Sequence, residues 1–194
     1  TNLLEEEKKN TRRVGKCGYR RLVRYCAASA CLLFLLAVST VYSFFWYMPR
    51  QELLIEAADA YIRKDYISLV DSLKGFRTEE LGRTGKYMLA AAYIQGQTVD
   101  TFSGKDKENI LSRVTYQSNE NVLDYWIHLG RLEISEAEEL AMKMCDDQLL
   151  LYAYMHELRQ IEADEGMSGE EKSGRKQDLM KNIEELAVRL GLQD

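Results

Sequence analysis

The segment from Tyr25 to Met48 reads YCAASACLLFLLAVSTVYSFFWYM and decides the fold class of this 194-residue chain. It carries no charge, and the residues outside the apolar and aromatic set are Ser29, Ser39, Thr40 and Ser43. As a helix it reaches roughly 36 Å, enough to cross a hydrocarbon core with some tilt. A core helix seldom runs beyond about 14 residues without a charge, and the apolar part of a signal peptide spans about 7–15. The segment therefore predicts one transmembrane helix.

Charge is divided unevenly around this segment. Residues 1–24 carry eight Lys or Arg against three Glu, whereas residues 50–194 carry 18 basic and 28 acidic side chains. Because basic flanks stay on the cytoplasmic side, we expect a single-pass protein of the cell membrane with a cytoplasmic N-terminus. The predicted divisions are a basic juxtamembrane segment (1–24), the span (25–48) and an extracellular domain (49–194). The first two contact membrane lipid, and the acidic domain argues against a nucleic acid partner.

The four cysteines fit this layout. Cys17 lies before the span, Cys26 and Cys31 lie within it, and Cys145 alone follows it, so no disulfide can form within the outer domain. The outer domain also has no Asn-x-Ser/Thr acceptor, and together these features favour a bacterial surface. Since the chain begins with Thr1 and not Met, we expect a cytoplasmic part to precede it.

The outer domain is predicted to be all-α. A single Pro and twelve Gly are too few for a β-sandwich or barrel, which needs a turn every ten residues or so. Apolar residues recur instead at spacings of three and four. This pattern predicts helices at about 51–63, 66–75, 86–96, 106–116, 119–131, 135–145, 147–163 and 169–190.

The ends of these helices carry local signals. Pro49 fits either the first turn of a new helix or a kink in a continuous one. Ser135 with Glu138, and Ser168 with Glu171, have the spacing of capping boxes. The last two helices are expected to form an antiparallel hairpin around residues 164–168.

The polar stretch from Gly96 to Asp106 is the best candidate for a mobile loop. Beyond it, Trp126, Leu129 and Gly130 match the opening of a tetratricopeptide repeat, in which glycine permits a close helix crossing. The match weakens at Glu133, where the repeat has an aromatic residue. Two architectures stay open for the outer domain: a degenerate helical repeat or an ordinary helical bundle.

Motifs that would carry chemistry are incomplete. His156 opens a zinc-protease pattern, but Gln160 stands where the second histidine ligand belongs. His128 is interpreted as a packed structural residue, and the Cys145-Asp146 step as the end of one helix and the cap of the next. We therefore predict no catalytic, cofactor-binding or metal-binding residues, no cofactor and no enzyme activity.

Tyrosine is the remaining distinctive residue of the outer domain. Its apolar body and polar tip suit interfaces, although some of these side chains must lie in the core. The tyrosines in question are Tyr61, Tyr66, Tyr87, Tyr93, Tyr116, Tyr125, Tyr152 and Tyr154. Contact with partner proteins is thus a better prediction than catalysis.

Four stretches carry a resemblance to a known family. They are PRQELLIEA at 49–57, DYWIHLGR at 124–131, DDQLLLY at 146–152 and MSGEEK at 167–172. In this order after a basic flank and one span, they resemble the EssB/YukC membrane component of the Gram-positive type VII secretion system. The chain departs from the family at 132–134, where Leu-Glu-Ile replaces an expected Gly-Asp-Tyr-like turn.

The resemblance implies a non-enzymatic subunit that forms a homodimer in the membrane. It also implies assembly with other type VII secretion subunits, including an FtsK/SpoIIIE-type ATPase, in a complex that exports small helical WXG100 substrates. The alternative is a bitopic receptor whose outer helical domain binds a ligand and signals to a cytoplasmic kinase-like domain. The two alternatives differ in whether the outer domain binds a ligand or other subunits.

Overall fold

A computed structural model of the chain describes residues 16–96 and 103–192. Contacts divide the chain into two compact units, Thr1–Gln51 and Glu52–Asp194. Residues 1–15 of the basic segment lie outside the described residues. The same is true of residues 97–102, which make up most of the predicted mobile loop between Gly96 and Asp106. Every regular element in the described ranges is a helix, so the all-α prediction is confirmed.

The first unit is built on the apolar segment. Helix α1 (Lys16–Tyr42) is followed by a π-helical turn (Ser43–Tyr47) and by helix α2 (Met48–Ile62). Within the described part of the chain, Arg21–Ile62 is the one stretch of helix long and apolar enough to cross a membrane, and an 18-residue window within it has a mean hydropathy of 2.0. Its large apolar side chains are exposed, as a helix that faces lipid requires; examples are Leu32, Leu33, Phe34, Leu35 and Leu36.

Pro49 lies in the first turn of α2 and does not interrupt the helical path. The Met48 N–H donates to the Ser43 carbonyl, five residues back, while Met48 keeps right-handed helical dihedral angles. A proline ring crowds the carbonyl four residues before it, which here belongs to Phe45. The widened π turn lies at that carbonyl and accommodates the ring within a continuous helix.

The second unit starts within α2 and contains seven further α-helices among the described residues. They are α3 (Tyr66–Leu73), α4 (Arg83–Gln95), α5 (Gly104–Arg113), α6 (Glu120–Gly130), α7 (Ile134–Met144), α8 (Asp147–Ala163) and α9 (Gly169–Leu190), with a short 3-10 turn at Thr78–Glu80. Each predicted helix is present within about three residues of its predicted bounds. The 3-10 turn was not predicted.

The helices of this unit pack stepwise. Helix α3 packs on α4, α4 on α6, α6 on α7, α7 on α8 and α8 on α9, while α5 packs on α4. Among the described residues, the largest fully buried side chains are Leu69, Leu73, Leu89, Ile94, Leu123, Tyr125, Trp126, Ile127, Leu129 and Leu186. Because each helix finds its main partners among its near neighbours in sequence, the packing favours a degenerate helical repeat over a bundle.

Gly130 permits a close crossing of helices α6 and α4. A Cβ atom built at this position would lie 2.6 Å from Tyr93 Cβ and would overlap the Tyr93 ring. Both residues are buried, on α6 and α4 respectively. The glycine of the Trp126-to-Gly130 pattern therefore serves the close crossing that the pattern predicts.

Helices α8 and α9 form the predicted antiparallel hairpin. Near its turn, Lys176 Nζ of α9 pairs with Glu162 of α8. At the open end, Arg189 Nη2 lies 3.3 Å from Asp147 Oδ1. At the start of α9, one half of the predicted capping box is present, since Ser168 Oγ accepts the Glu171 N–H at 3.3 Å.

The predicted capping box at Ser135 and Glu138 is wrong. Helix α7 begins earlier, after Glu133, and no side chain caps it. Ile134, in the first turn of α7, is buried. Its burial favours a helix that begins one residue before Ser135. At the next junction the prediction holds: Cys145 ends α7, and Asp146 Oδ1 accepts the N–H groups of Gln148 and Leu149.

Among the described helices, four end in the same left-handed turn, and one of these four has glycine there. The turn residues are Lys64, Leu132, Cys145 and Gly191, with φ between 52° and 67°. In each, the next residue donates its N–H to the carbonyl five positions back, as in a Schellman motif. A residue with a Cβ atom is strained in this conformation by about 1 kcal/mol. Three of the four turns therefore carry strain that glycine would remove.

Replacing Lys64 and Cys145 together with glycine is expected to raise the stability of the second unit by about 1–2 kcal/mol. Both residues are exposed, so few contacts are lost. Thermal unfolding of the full chain in detergent measures the effect. Lys74→Gly is the control, because Lys74 also ends a helix and is exposed, but has an ordinary φ of −59°. An equal gain from Lys74→Gly would rule out relief of left-handed strain as the cause.

Candidate functional site

The two histidines occupy structural positions. His156 lies buried in α8, where burial, reinforced by the nearby Arg159 charge, lowers its pKa to about 4. His128 Nδ1 lies 2.6 Å from Glu133 Oε2, across the turn that follows α6. Among the residues with described coordinates, no three His, Cys, Asp or Glu side chains are grouped to hold a metal ion.

The eight tyrosines divide between core and surface. Tyr93 and Tyr125 are buried, and the Tyr125 hydroxyl donates to the Leu149 carbonyl at 2.6 Å. Tyr116 is 48% exposed, and the other five are half-buried. The expectation of a tyrosine-rich contact surface thus applies to the six tyrosines that are exposed or half-buried, and not to Tyr93 and Tyr125.

Tyr61, Tyr87 and Tyr116 form a row that joins α2, α4 and the segment after α5. Successive ring centroids are 6.1 and 6.0 Å apart, with edge-to-face geometry. Burial and the hydrogen bond to Tyr87 raise the pKa of Tyr61 to about 12. Arg83 holds the row in place by donating from Nε to the Tyr116 carbonyl and from Nη2 to the Ser118 carbonyl, both at 2.8 Å.

An ion cluster centred on a buried lysine joins α4 to α6. Lys86 Nζ lies 2.6 Å from Glu120 Oε1 and 2.9 Å from Asp124 Oδ1, and the lysine side chain is only 6% exposed. Burial alone would lower the pKa of Lys86, but the hydrogen bonds to Asp124 and Glu120 outweigh it and raise the pKa. The sequence did not predict this cluster, because its local signal is limited to a lysine next to the apolar run of α4.

A groove is bounded by α5 and the first turns of α6 and α8. Its volume is about 340 Å³. Buried Ile110, Trp126 and Leu149 contribute apolar surface to it. Tyr152 forms one wall, with its ring centroid 6.2 Å from that of Trp126. The sequence alone did not predict this groove, because it joins residues from three separate helices.

Polar side chains surround the groove. Arg113 Nη1 donates to Gln148 Oε1 at 3.3 Å, and Gln148 Nε2 donates to the Tyr152 hydroxyl at 2.8 Å. Asn119 and Asp146, which cap α6 and α8, complete the polar edge. An apolar floor with a polar rim is the usual composition of a protein contact surface. The arrangement can bind apolar side chains of a partner, and it brings together no nucleophile and base.

Comparison with known proteins identifies the family. The family model described as "WXG100 protein secretion system (Wss), protein YukC" matches residues 1–188. The chain belongs to the YukC family. This confirms the resemblance seen in the four sequence stretches, and it makes the YukC-family chain a component of a type VII secretion system.

Individual relatives agree with the family assignment. Type VII secretion system protein EssB of Staphylococcus aureus is 27% identical over 139 residues, which cover 72% of this chain and 31% of EssB. A Clostridium acetobutylicum protein of undescribed function is 25% identical over 193 residues, or 96% of this chain and 51% of that protein. The YukC-family chain thus spans about half of one of these relatives and about a third of the other.

A solved structure supports the fold. The crystal structure of the Geobacillus thermodenitrificans EssB extracellular fragment matches with a TM-score of 0.66 and 25% identity. The match covers 74% of this chain and 93% of that fragment. The helical unit of the YukC-family chain therefore has the fold of that fragment.

Proposed function

We propose that this YukC-family chain is a non-enzymatic structural subunit that dimerises and connects other subunits of a type VII secretion membrane complex. The observation that carries the proposal is the family match across residues 1–188. Two surfaces of the second unit support it: the groove between α5, α6 and α8, and an apolar face of α2. Neither surface contains a catalytic arrangement, whereas both have the composition of a contact surface.

The exposed face of α2 supports the homodimer. Ile55 and Ile62 are seven residues apart, which places them on one face of the helix, and they are 68% and 79% exposed. Ala57 and Ala60, on the other side, are fully buried. A helix with one buried face and one exposed isoleucine face can pair with a second copy.

Single-molecule bleaching of the labelled chain in lipid bilayers tests the dimer. We expect two bleaching steps per particle for the wild type and one for the Ile55→Glu/Ile62→Glu variant. Glu56→Gln, an exposed change on the same helix, is the control and should keep two steps. One step for the wild type would contradict dimerisation.

We propose that the groove contacts another subunit of the complex. The candidate subunits include an FtsK/SpoIIIE-type ATPase. Crosslinking followed by pull-down in mild detergent should recover this ATPase and other envelope subunits. Val122→Asp places a charge in the groove and should reduce recovery. Ser112→Asp, on the exposed side of α5, adds the same charge outside the groove and should not. Recovery of the chain alone from wild-type cells would contradict the proposal.

We also propose the orientation indicated by charge: residues 1–24 cytoplasmic, 25–48 in the membrane in contact with lipid, and 49–194 extracellular. Cys145 is exposed in the helical unit and provides a natural probe. A membrane-impermeant maleimide should label Cys145 on intact cells, and Cys145→Ser should abolish that labelling. Labelling that requires lysis of the cells would reverse the orientation.

A further inference from the structure

Helix α5 forms one wall of the groove and is held there by little apolar burial. Ile110 is the one buried residue of this helix, and Val114, directly after its end, is buried as well. Helix α4, by contrast, is buried along most of its length. Because helices in proteins owe most of their stability to apolar packing, α5 depends more than its neighbours on polar contacts. Two such contacts join it to α4.

The first contact lies near the start of α5. Lys107 Nζ donates to the Gly96 carbonyl at 3.2 Å. Gly96 ends α4, where the last carbonyls have no N–H partner within the helix. A cation at this end of a helix is also favoured by the helix dipole. Lys107 therefore ties the first turns of α5 to the last turn of α4.

The second contact lies beyond the end of α5. Arg83, the first residue of α4, donates from Nε to the Tyr116 carbonyl and from Nη2 to the Ser118 carbonyl, both at 2.8 Å. Its guanidinium carbon lies 5.6 Å from the centroid of the Tyr116 ring. Ser118 lines the groove, and its hydroxyl accepts the Thr115 N–H at 2.8 Å. Arg83 thus fixes the backbone that forms one end of the groove.

We propose that Arg83 and Lys107 form a two-ended clamp that keeps α5 in place as the wall of the groove, and that both are positioning residues for the subunit contact at this groove. The part that concerns the subunit contact rests on the function proposed above. The two clamp contacts lie at opposite ends of α4, so they hold α5 antiparallel along it. Neither clamp side chain lines the groove itself.

The clamp acts on the width of the groove. Across the groove, Arg113 of α5 donates to Gln148 of α8 at 3.3 Å, a longer contact than either bond of Arg83. When one end of the clamp is released, that end of α5 can move away from α6 and α8. The apolar floor and the polar rim then no longer meet a partner in one fixed arrangement, which weakens binding.

Hydrogen exchange of the full chain in detergent, without a partner, tests each end of the clamp. Arg83→Lys keeps the charge, but a single ammonium nitrogen replaces the two nitrogens that reach separate carbonyls. We expect the Val114 and Ser118 amides, which donate to carbonyls within this segment, to exchange about tenfold faster. Lys107→Met should have the same effect on the Lys107 amide, which donates to the Ser103 carbonyl at the start of α5.

The matched control for the second variant is Lys105→Met. Lys105 is an exposed lysine on the same helix and should keep wild-type exchange. Unchanged exchange in both Arg83→Lys and Lys107→Met would overturn the clamp. An equal increase in the amides of α8 would also overturn it, because general loosening of the unit would then explain the result.

Crosslinking and pull-down in mild detergent test the effect on the subunit contact. Arg83→Lys/Lys107→Met should reduce recovery of envelope subunits severalfold, whereas Lys105→Met should leave it at the wild-type level. Faster exchange in α5 with wild-type recovery would overturn the positioning role. Failure of the wild type to recover any subunit would contradict the proposed function, and it is distinguishable because the exchange measurement needs no partner.

Discussion

Gly130→Ala is expected to destabilise the second unit by about 3 kcal/mol, a large effect for one methyl group. The added Cβ would overlap the ring of Tyr93, and Tyr93 cannot move away because it is only 4% exposed within the core. Helices α4 and α6 must then separate, which disturbs the packing on both sides of the crossing. Urea unfolding of the full chain in detergent, followed by circular dichroism, measures the loss.

Gly174→Ala is the matched control for this change. Gly174 lies within α9, is exposed, and has no atom within 4 Å of an added Cβ. Alanine favours helix by about 1 kcal/mol over glycine, so this variant should gain stability. If both variants shifted in the same direction, steric overlap at the α4–α6 crossing would no longer explain the result.

Lys86→Ala is expected to cost about 3 kcal/mol, because it leaves the Asp124 carboxylate buried without its cation. The Asp124 side chain is only 19% exposed, so water replaces the lysine poorly. Glu120 contributes less, since it is 66% exposed and its charge is screened. Thermal unfolding of the full chain measures the change, and hydrogen exchange in α4 and α6 should locate it.

Two further variants distinguish the cost of leaving Asp124 buried without its cation from the general cost of removing a lysine side chain. Lys86→Met/Asp124→Leu removes both charges and should recover most of the stability, since apolar replacement of a buried pair is often neutral or favourable. Lys181→Ala removes a lysine whose pair with Glu185 is 4.0 Å long and exposed, and it should change stability by less than about 0.5 kcal/mol. A double variant as unstable as Lys86→Ala would point to lost packing as the cause.

Local signals predicted much of this protein. The uncharged run from Tyr25 predicted the helix that can cross a membrane, and apolar spacing predicted the helices of the second unit. Ser168 predicted the start of α9, because a cap and the N–H it binds lie within three residues. Predictions of this kind succeed when the interacting groups are neighbours in the chain.

Glu138 shows why other predictions failed. Its spacing from Ser135 predicted a capping role, whereas the structure places it in the lining of a cavity between α7 and α8. Lys86 gave a similarly poor signal, because its acidic partners lie 34 and 38 residues further along the chain. The groove could not be predicted for the same reason, since its walls come from three separate helices, α5, α6 and α8.

The sequence by itself determined the all-α class, the candidate membrane helix, the division of charge and the resemblance to the YukC family. These are properties of composition and short-range order, which the chain carries before it folds. The tertiary structure decided which residues meet: Gly130 with Tyr93, Lys86 with Asp124, and Trp126 with Tyr152. Such pairs form only when helices distant in sequence pack together, because burial then removes the water that would otherwise separate or screen the groups.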